Sequence, residues 1–129
     1  MSDLELHRQI AELVRRIDRH GKLLRTWPLD GGVSAQMTAF EIALPDGQTR
    51  KMVVRRHGGV DLEQNPNIAA DEFKLLRILR SAGLAVPTPY LLDQSGEISA
   101  TPTLVLEYIE GKPEFEPARR TQMVRRTSV

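Results

Sequence analysis

Residues 36–57 read QMTAFEIALPDGQTRKMVVRRH. Two runs rich in apolar and β-branched residues flank Pro45-Asp46-Gly47, and this predicts a hairpin of strands 36–44 and 49–57. The turn has a mechanism: Pro presets φ, Asp bonds to nearby backbone, and Gly accepts a positive φ. In the second strand, alternation puts Lys51, Val53 and Arg55 on one face and Met52, Val54 and Arg56 on the other. One of these faces must cover a core. A cation at its edge is then either a snorkelling surface residue or a site residue.

Upstream, LLRTWPL at residues 23–29 predicts another strand, separated from the hairpin by DGGVS. Before it, Leu6, Ile10, Leu13, Val14 and Ile17 recur at helical spacing, with Arg8, Glu12, Arg15, Arg16 and Arg19 on the opposite face. Ser2 and Glu5 fit a capping box at the start of this helix, and Gly21 is the natural stop. Downstream, Gly58, Gly59, Asn65 and Pro66 predict a loop. A helix over 68–82 follows, with Phe73, Leu75, Leu76, Ile78 and Leu79 apolar and Gly83 ending it. Pro87 and Pro89 lead into a short strand at 90–92, Gln94-Ser95-Gly96 turns the chain, and 103–108 is the last strand. The expected fold is therefore α+β: a five-stranded antiparallel sheet with one crossing helix, preceded by an N-terminal amphipathic helix. The organisation read from it is an N-terminal helix at 1–22, a lobe at 23–112 and a polar, basic tail at 113–129.

The bulk numbers exclude more than they name. At 129 residues the chain is long enough for one modest core. A net charge of +1 supplies no global field for DNA or anionic lipid, and 5% aromatics leaves little for base stacking. A nucleic-acid-binding domain using Arg15, Arg16, Arg19 and the Arg119, Arg120, Arg125 and Arg126 tail is thus disfavoured. The absence of cysteine rules out disulfides and thiolate chemistry. No leader and no membrane-spanning run is visible, so neither nucleic acid nor membrane is an expected partner, and the cytoplasm is the expected location.

Several short constellations are candidates for chemistry. In LDGGVSAQ at 29–36, Gly31, Gly32 and Ser34 let backbone amides approach an anion, although a plain hairpin turn has the same composition. Glu72 lies beside the apolar stripe of the 68–82 helix, where it either fixes a cation on the sheet or simply favours the helix N-terminus. His7, His20 and His57 have no metal-ligand spacing. GxxxxGK[ST] and GxGxxG are both absent. The terminal RTSV is a weak strand-addition pattern.

Taken in order, these pieces say more than each does alone: a Gly/Ser turn, VVRR, a helix glutamate, GLAVPTPYLLDQSG and PTLVLEYIEG. The succession resembles the amino-terminal lobe of the aminoglycoside phosphotransferase and choline-kinase-like family, relatives of the protein kinases. It is most similar to the branch whose third strand carries two arginines. The resemblance spans about residues 24–112, and VPTP (86–89) and LVLEYIEG (104–111) are its most specific parts. It implies a kinase-like N-lobe binding ATP (or GTP), with the last strand leading into the hinge. The Glu107 carbonyl and Ile109 amide would meet the adenine edge, with Leu106 behind and Val53 over one face. Arg55 stands where the family has its phosphate-binding lysine, Glu72 where its helix partner stands, and Gly31, Gly32 and Ser34 in the loop over the phosphates. Arg55 departs from the common lysine: it can bind phosphate bidentately, but its fork must be aimed.

The family's catalytic groups come from a second lobe bearing a His-Gly-Asp loop and magnesium-binding carboxylates. No HGD, HRD or DFG-like string occurs here; His20-Gly21 and His57-Gly58 continue as Lys22 and Gly59. The chain alone is therefore expected to be inactive in phosphoryl transfer, with Mg entering only alongside a second lobe. A fragment, a truncated product, half of a split enzyme and a retained binding module all fit this expectation. The expected partners are a nucleotide and the missing lobe or a chain supplying it. Exposed Val53 and Leu106 on the cleft face would also favour self-association. The alternative reading is a non-catalytic interaction or regulatory module built on the same lobe.

Overall fold

The computed structural model describes residues 3–29 and 35–109. Ser2, the loop residues Gly31, Gly32 and Ser34, and the basic tail lie outside them.

The elements run α1 (Asp3–Ile17), β1 (Lys22–Pro28), β2 (Ala35–Ala43), β3 (Thr49–His57), α2 (Gly59–Gln64), α3 (Ile68–Ser81), β4 (Pro89–Asp93) and β5 (Thr103–Glu107). The five strands form one antiparallel sheet in the order β1-β2-β3-β5-β4. This is the expected α+β architecture. The hairpin forms as read, with Ala43 paired to Thr49 across a turn in which Gly47 has φ +88° and Asp46 accepts from the Gln48 amide at 3.0 Å. Local turn chemistry is enough to set that register.

Helices cover both faces. On one, Ile10, Leu13 and Val14 of α1 pack with Phe40, Ile42, Met52, Val54 and Val105, all at most 2% exposed. Burying each such side chain contributes about 1.5–3 kcal/mol, so α1 is part of the main core. On the other face, Ala69 and Leu76 of α3 pack with Leu104, Leu106 and Val86, flanked by half-buried Phe73, Leu79 and Leu92.

Three local expectations are corrected. Gly21 does not end α1. The helix stops at Ile17, and Asp18 closes it by accepting from the His20 amide at 2.9 Å and the Gly21 amide at 2.8 Å. Gly21 instead allows a close approach, since a Cβ there would stand 3.2 Å from the Asp18 carbonyl and 3.3 Å from Val14. Residues 59–64, read as loop, form the short helix α2, which buries nothing and so leaves no apolar periodicity to detect. Finally, Leu75 and Ile78 of α3 do not join the core: they are 48% and 56% exposed, because α3 meets the sheet through the Ala69–Phe73–Leu76–Leu79 stripe. The α3 C-terminus behaves as read. Gly83 has φ +87°, its amide donates to the Arg80 carbonyl and the Leu84 amide to the Leu79 carbonyl, the two bonds of a Schellman motif.

Candidate functional site

Directly paired residues of an antiparallel sheet share a face, so the register defines the site floor. Trp27, Ala39, Val53 and Leu106 form one row across β1, β2, β3 and β5. Met37, Arg55 and Leu104 form the next, and His57 follows Arg55 by one strand repeat. All lie on the α3 side of the sheet.

Val53 and Leu106 are each 6% exposed, which corrects the expectation of an open apolar cleft. Leu106 is enclosed by the α3 cluster, and Val53 stands between buried Ala39 and Leu106 in the sheet. The large exposed apolar residues are elsewhere, among them Leu75, Ile78, Val60 and Leu84.

Above this floor sits a charged cluster. Glu72 comes three residues after Ala69 and four before Leu76, so the α3 stripe that packs on the sheet carries the carboxylate with it. Its Oε1 lies 3.2 Å from Arg55 Nε and 2.9 Å from His57 Nε2. The three side chains are largely enclosed: 19% exposed for Arg55, 15% for Glu72 and 4% for His57. Arg55 Nη1 also points a weak contact at Met37 Sδ, 3.7 Å away. Among the described residues, Arg55 Nε and His57 Nδ1 are buried without a hydrogen-bond partner.

Arg56 has a different environment. It faces α1, where its Nη2 donates to Gln9 Oε1 at 2.6 Å and its Nε to Thr103 Oγ1 at 3.2 Å. Burial lowers its pKa from the ordinary arginine value. Of the adjacent arginines, only Arg55 belongs to the site.

The β5 end forms one border. Pairing with β3 runs to Met52↔Glu107, and the Tyr108 amide adds a bond to the Lys51 carbonyl at 3.3 Å; Ile109 follows. The Glu107 carboxylate is tied back, accepting from the Thr88 amide at 3.0 Å and the Thr88 hydroxyl at 3.1 Å. The Glu107 amide donates to the Thr88 carbonyl at 2.8 Å. Beside this border, Tyr108 meets Trp27 edge to face at 5.9 Å, and Arg25 stacks 4.4 Å over Trp27. Arg25 Nε donates to Glu41 at 2.8 Å and, with that hydrogen bond, holds the Glu41 carboxyl below its usual value.

Of the residues expected at a site, Val53, Arg55, Glu72 and Leu106 share one face, and Glu107 and Ile109 lie at its border. Gly31, Gly32 and Ser34 fall outside the described residues. Sequence reasoning missed His57, Met37 and Thr88. For His57 the signal was present, since it stands two residues past Arg55 on the same face. No cluster of three or more His, Asp or Glu able to hold a metal occurs among the described residues. Nor is any helix among them long and apolar enough to cross a membrane.

A family model described as the phosphotransferase enzyme family matches residues 27–127. No curated protein and no solved structure matches the chain significantly.

Proposed function

The chain belongs to the phosphotransferase enzyme family, and from that premise we propose that the α3 face of its sheet is the nucleotide-binding half of an ATP-dependent small-molecule phosphotransferase. The observation that carries this reading is the Arg55–Glu72 ion pair, 3.2 Å apart and set beside Val53 and Leu106. A cation held by an enclosed carboxylate suits the phosphate oxygens of a nucleotide. Glu72 engages the Nε edge of Arg55, which leaves its terminal nitrogens for two phosphate oxygens in a fork. The backbone of Glu107 and Ile109 offers a donor–acceptor edge to the base, stiffened by the Thr88–Glu107 bonds.

In the reaction of such a lobe, the acceptor oxygen bonds to the terminal phosphorus, the bond to the bridging oxygen breaks, and the nucleoside diphosphate leaves. Arg55 binds and orients phosphate oxygens. We propose that a second lobe, in the same polypeptide or another, supplies the group that takes the acceptor's proton.

The test uses Trp27, the single tryptophan, which lies in the same row as Val53. Titration with a non-hydrolysable ATP analogue should give a saturable change in its fluorescence. Arg55→Met should weaken binding by about tenfold or more, the scale of one charge-assisted contact. Absence of binding, or equal binding by the variant, overturns the reading and favours the interaction-module alternative.

A further inference from the structure

One carboxylate oxygen serves two donors. His57 Nε2 stands 2.9 Å from Glu72 Oε1 within hydrogen-bonding geometry, whereas Arg55 Nε stands 3.2 Å from the same atom without a directed hydrogen bond. Opposite a carboxylate, Nε2 is the ring nitrogen that carries hydrogen. The best-formed bond of Glu72 is thus to a residue that sequence reasoning did not assign, and Arg55 is held by charge rather than by a lined-up N–H.

That difference has a chemical consequence. A carboxylate with no other partner takes a guanidinium in a bidentate fork, two parallel N–H···O bonds. A forked Arg55 would commit a terminal nitrogen to Glu72 and turn away from phosphate. With Oε1 occupied by His57, the fork is incomplete, and the terminal nitrogens of Arg55 stay available. The geometry of β3 builds this in, because residues 55 and 57 share a face one strand repeat apart, and α3 lowers Glu72 between them.

We propose that His57 is a positioning residue for Arg55 acting through Glu72: its Nε2–H occupies the carboxylate and keeps the guanidinium attracted but unlocked. The consequence for phosphate binding rests on the nucleotide reading given above; the effect on Arg55 does not.

Two measurements on the full chain separate these. The first is made without nucleotide, by following the Nε–H resonance of Arg55 in ¹⁵N-edited NMR, with Arg55→Lys to assign it. In His57→Phe and His57→Asn, whose side chains lack or fall short of the donor, the resonance should shift downfield and its hydrogen exchange should slow as the fork closes. In His57→Gln, whose amide nitrogen reaches as Nε2 does, it should match the parent. An unchanged resonance in both donor-deficient variants overturns the proposal. So does a His57→Gln spectrum matching that of His57→Asn. Should the Phe variant fail to fold, the Asn and Gln pair carries the comparison at similar size. The second measurement is affinity for the non-hydrolysable ATP analogue. His57→Asn should lose about tenfold, the weight of one charge-assisted bond, and His57→Gln should stay within about twofold of the parent. If the parent binds no nucleotide, the functional reading fails, while the NMR comparison still decides the role of His57.

Discussion

Arg55 and Arg56 are consecutive in β3 and serve opposite faces of the sheet: Arg55 Nε lies 3.2 Å from Glu72 Oε1 on α3, and Arg56 Nη2 donates to Gln9 Oε1 on α1 at 2.6 Å. Strand alternation forces the split. A double arginine that reads in the sequence as one basic motif is therefore two devices. One pairs with Glu72 on α3, and the other ties the N-terminal helix to β3 and β5.

The two devices should separate under mutation. Arg56→Ala leaves the buried Gln9 and Thr103 side chains short of a partner and opens a gap, which should cost about 2–3 kcal/mol. For a domain of this size, the melting temperature should fall by roughly 10 °C. Arg55→Ala unpairs an enclosed carboxylate, but Glu72 keeps its hydrogen bond to His57, so the loss should be smaller than for Arg56→Ala. Paired thermal melts check this, and equal losses from both variants would refute the division of labour.

On α3, Leu76 and Ile78 are near neighbours with opposite surroundings, 2% and 56% exposed. Leu76→Ala should destabilise by about 2–5 kcal/mol through lost burial and a cavity between α3 and β5. Ile78→Ala should change stability by no more than about 0.5 kcal/mol. Urea titration measures both. A large loss at Ile78 would mean that this side of α3 is covered in solution.

What was legible in the sequence divides along the same line as local and tertiary physics. The span 49–57 of β3 was readable to the residue because Pro-Asp-Gly sets the turn and the turn sets the register. The Schellman end at Gly83 was readable for the same reason. By contrast, Leu75 and Leu76 are equally apolar, and only packing against Leu104 and Leu106 decides which is buried. Glu72 alone looked like an ordinary helix-N-terminal acid. It became a candidate only in combination with VVRR and the final strand, because the pairing depends on α3 crossing β3. His57 has no metal-ligand spacing to mark it, and its nearness to Glu72 arises from a contact 15 residues apart in sequence. Gln9 meets Arg56 across 47 residues, a contact with no local signature.

The glycines give a backbone prediction. Gly83 has φ +87° and open space around a built Cβ, so Gly83→Ala is penalised by conformation alone, about 1 kcal/mol. Gly59 opens α2 with no positive φ and no atom within 4 Å of a Cβ, so Gly59→Ala should be neutral or stabilising by up to about 1 kcal/mol. Chemical denaturation of the two variants should move the midpoint in these directions. A stabilising Gly83→Ala would show that α3 does not end in the left-handed turn.

Glu41 should contribute to the acid response. Its carboxyl is held below the ordinary 4.5, first by the hydrogen bond from Arg25; desolvation opposes this, and the charge of Arg25, a hydrogen bond from Thr49 and the charge of Lys51 add to the lowering. A carboxylate whose folded pKa is depressed binds fewer protons folded than unfolded. Its contribution to stability is therefore complete above about pH 4.5 and is lost as the pH falls through the folded value. Arg25→Gln removes the main cause and should bring the Glu41 titration back up toward its ordinary position, read from its side-chain carboxyl ¹³C shift. The stability difference between parent and variant should be largest above pH 4.5 and shrink on acidification, because protonated Glu41 no longer distinguishes them. The Arg25–Trp27 stacking survives protonation of Glu41, so the gap should narrow without necessarily closing. A gap that widened as the pH fell would have the wrong sign for a depressed carboxyl and would reject the Arg25–Glu41 bond as its cause.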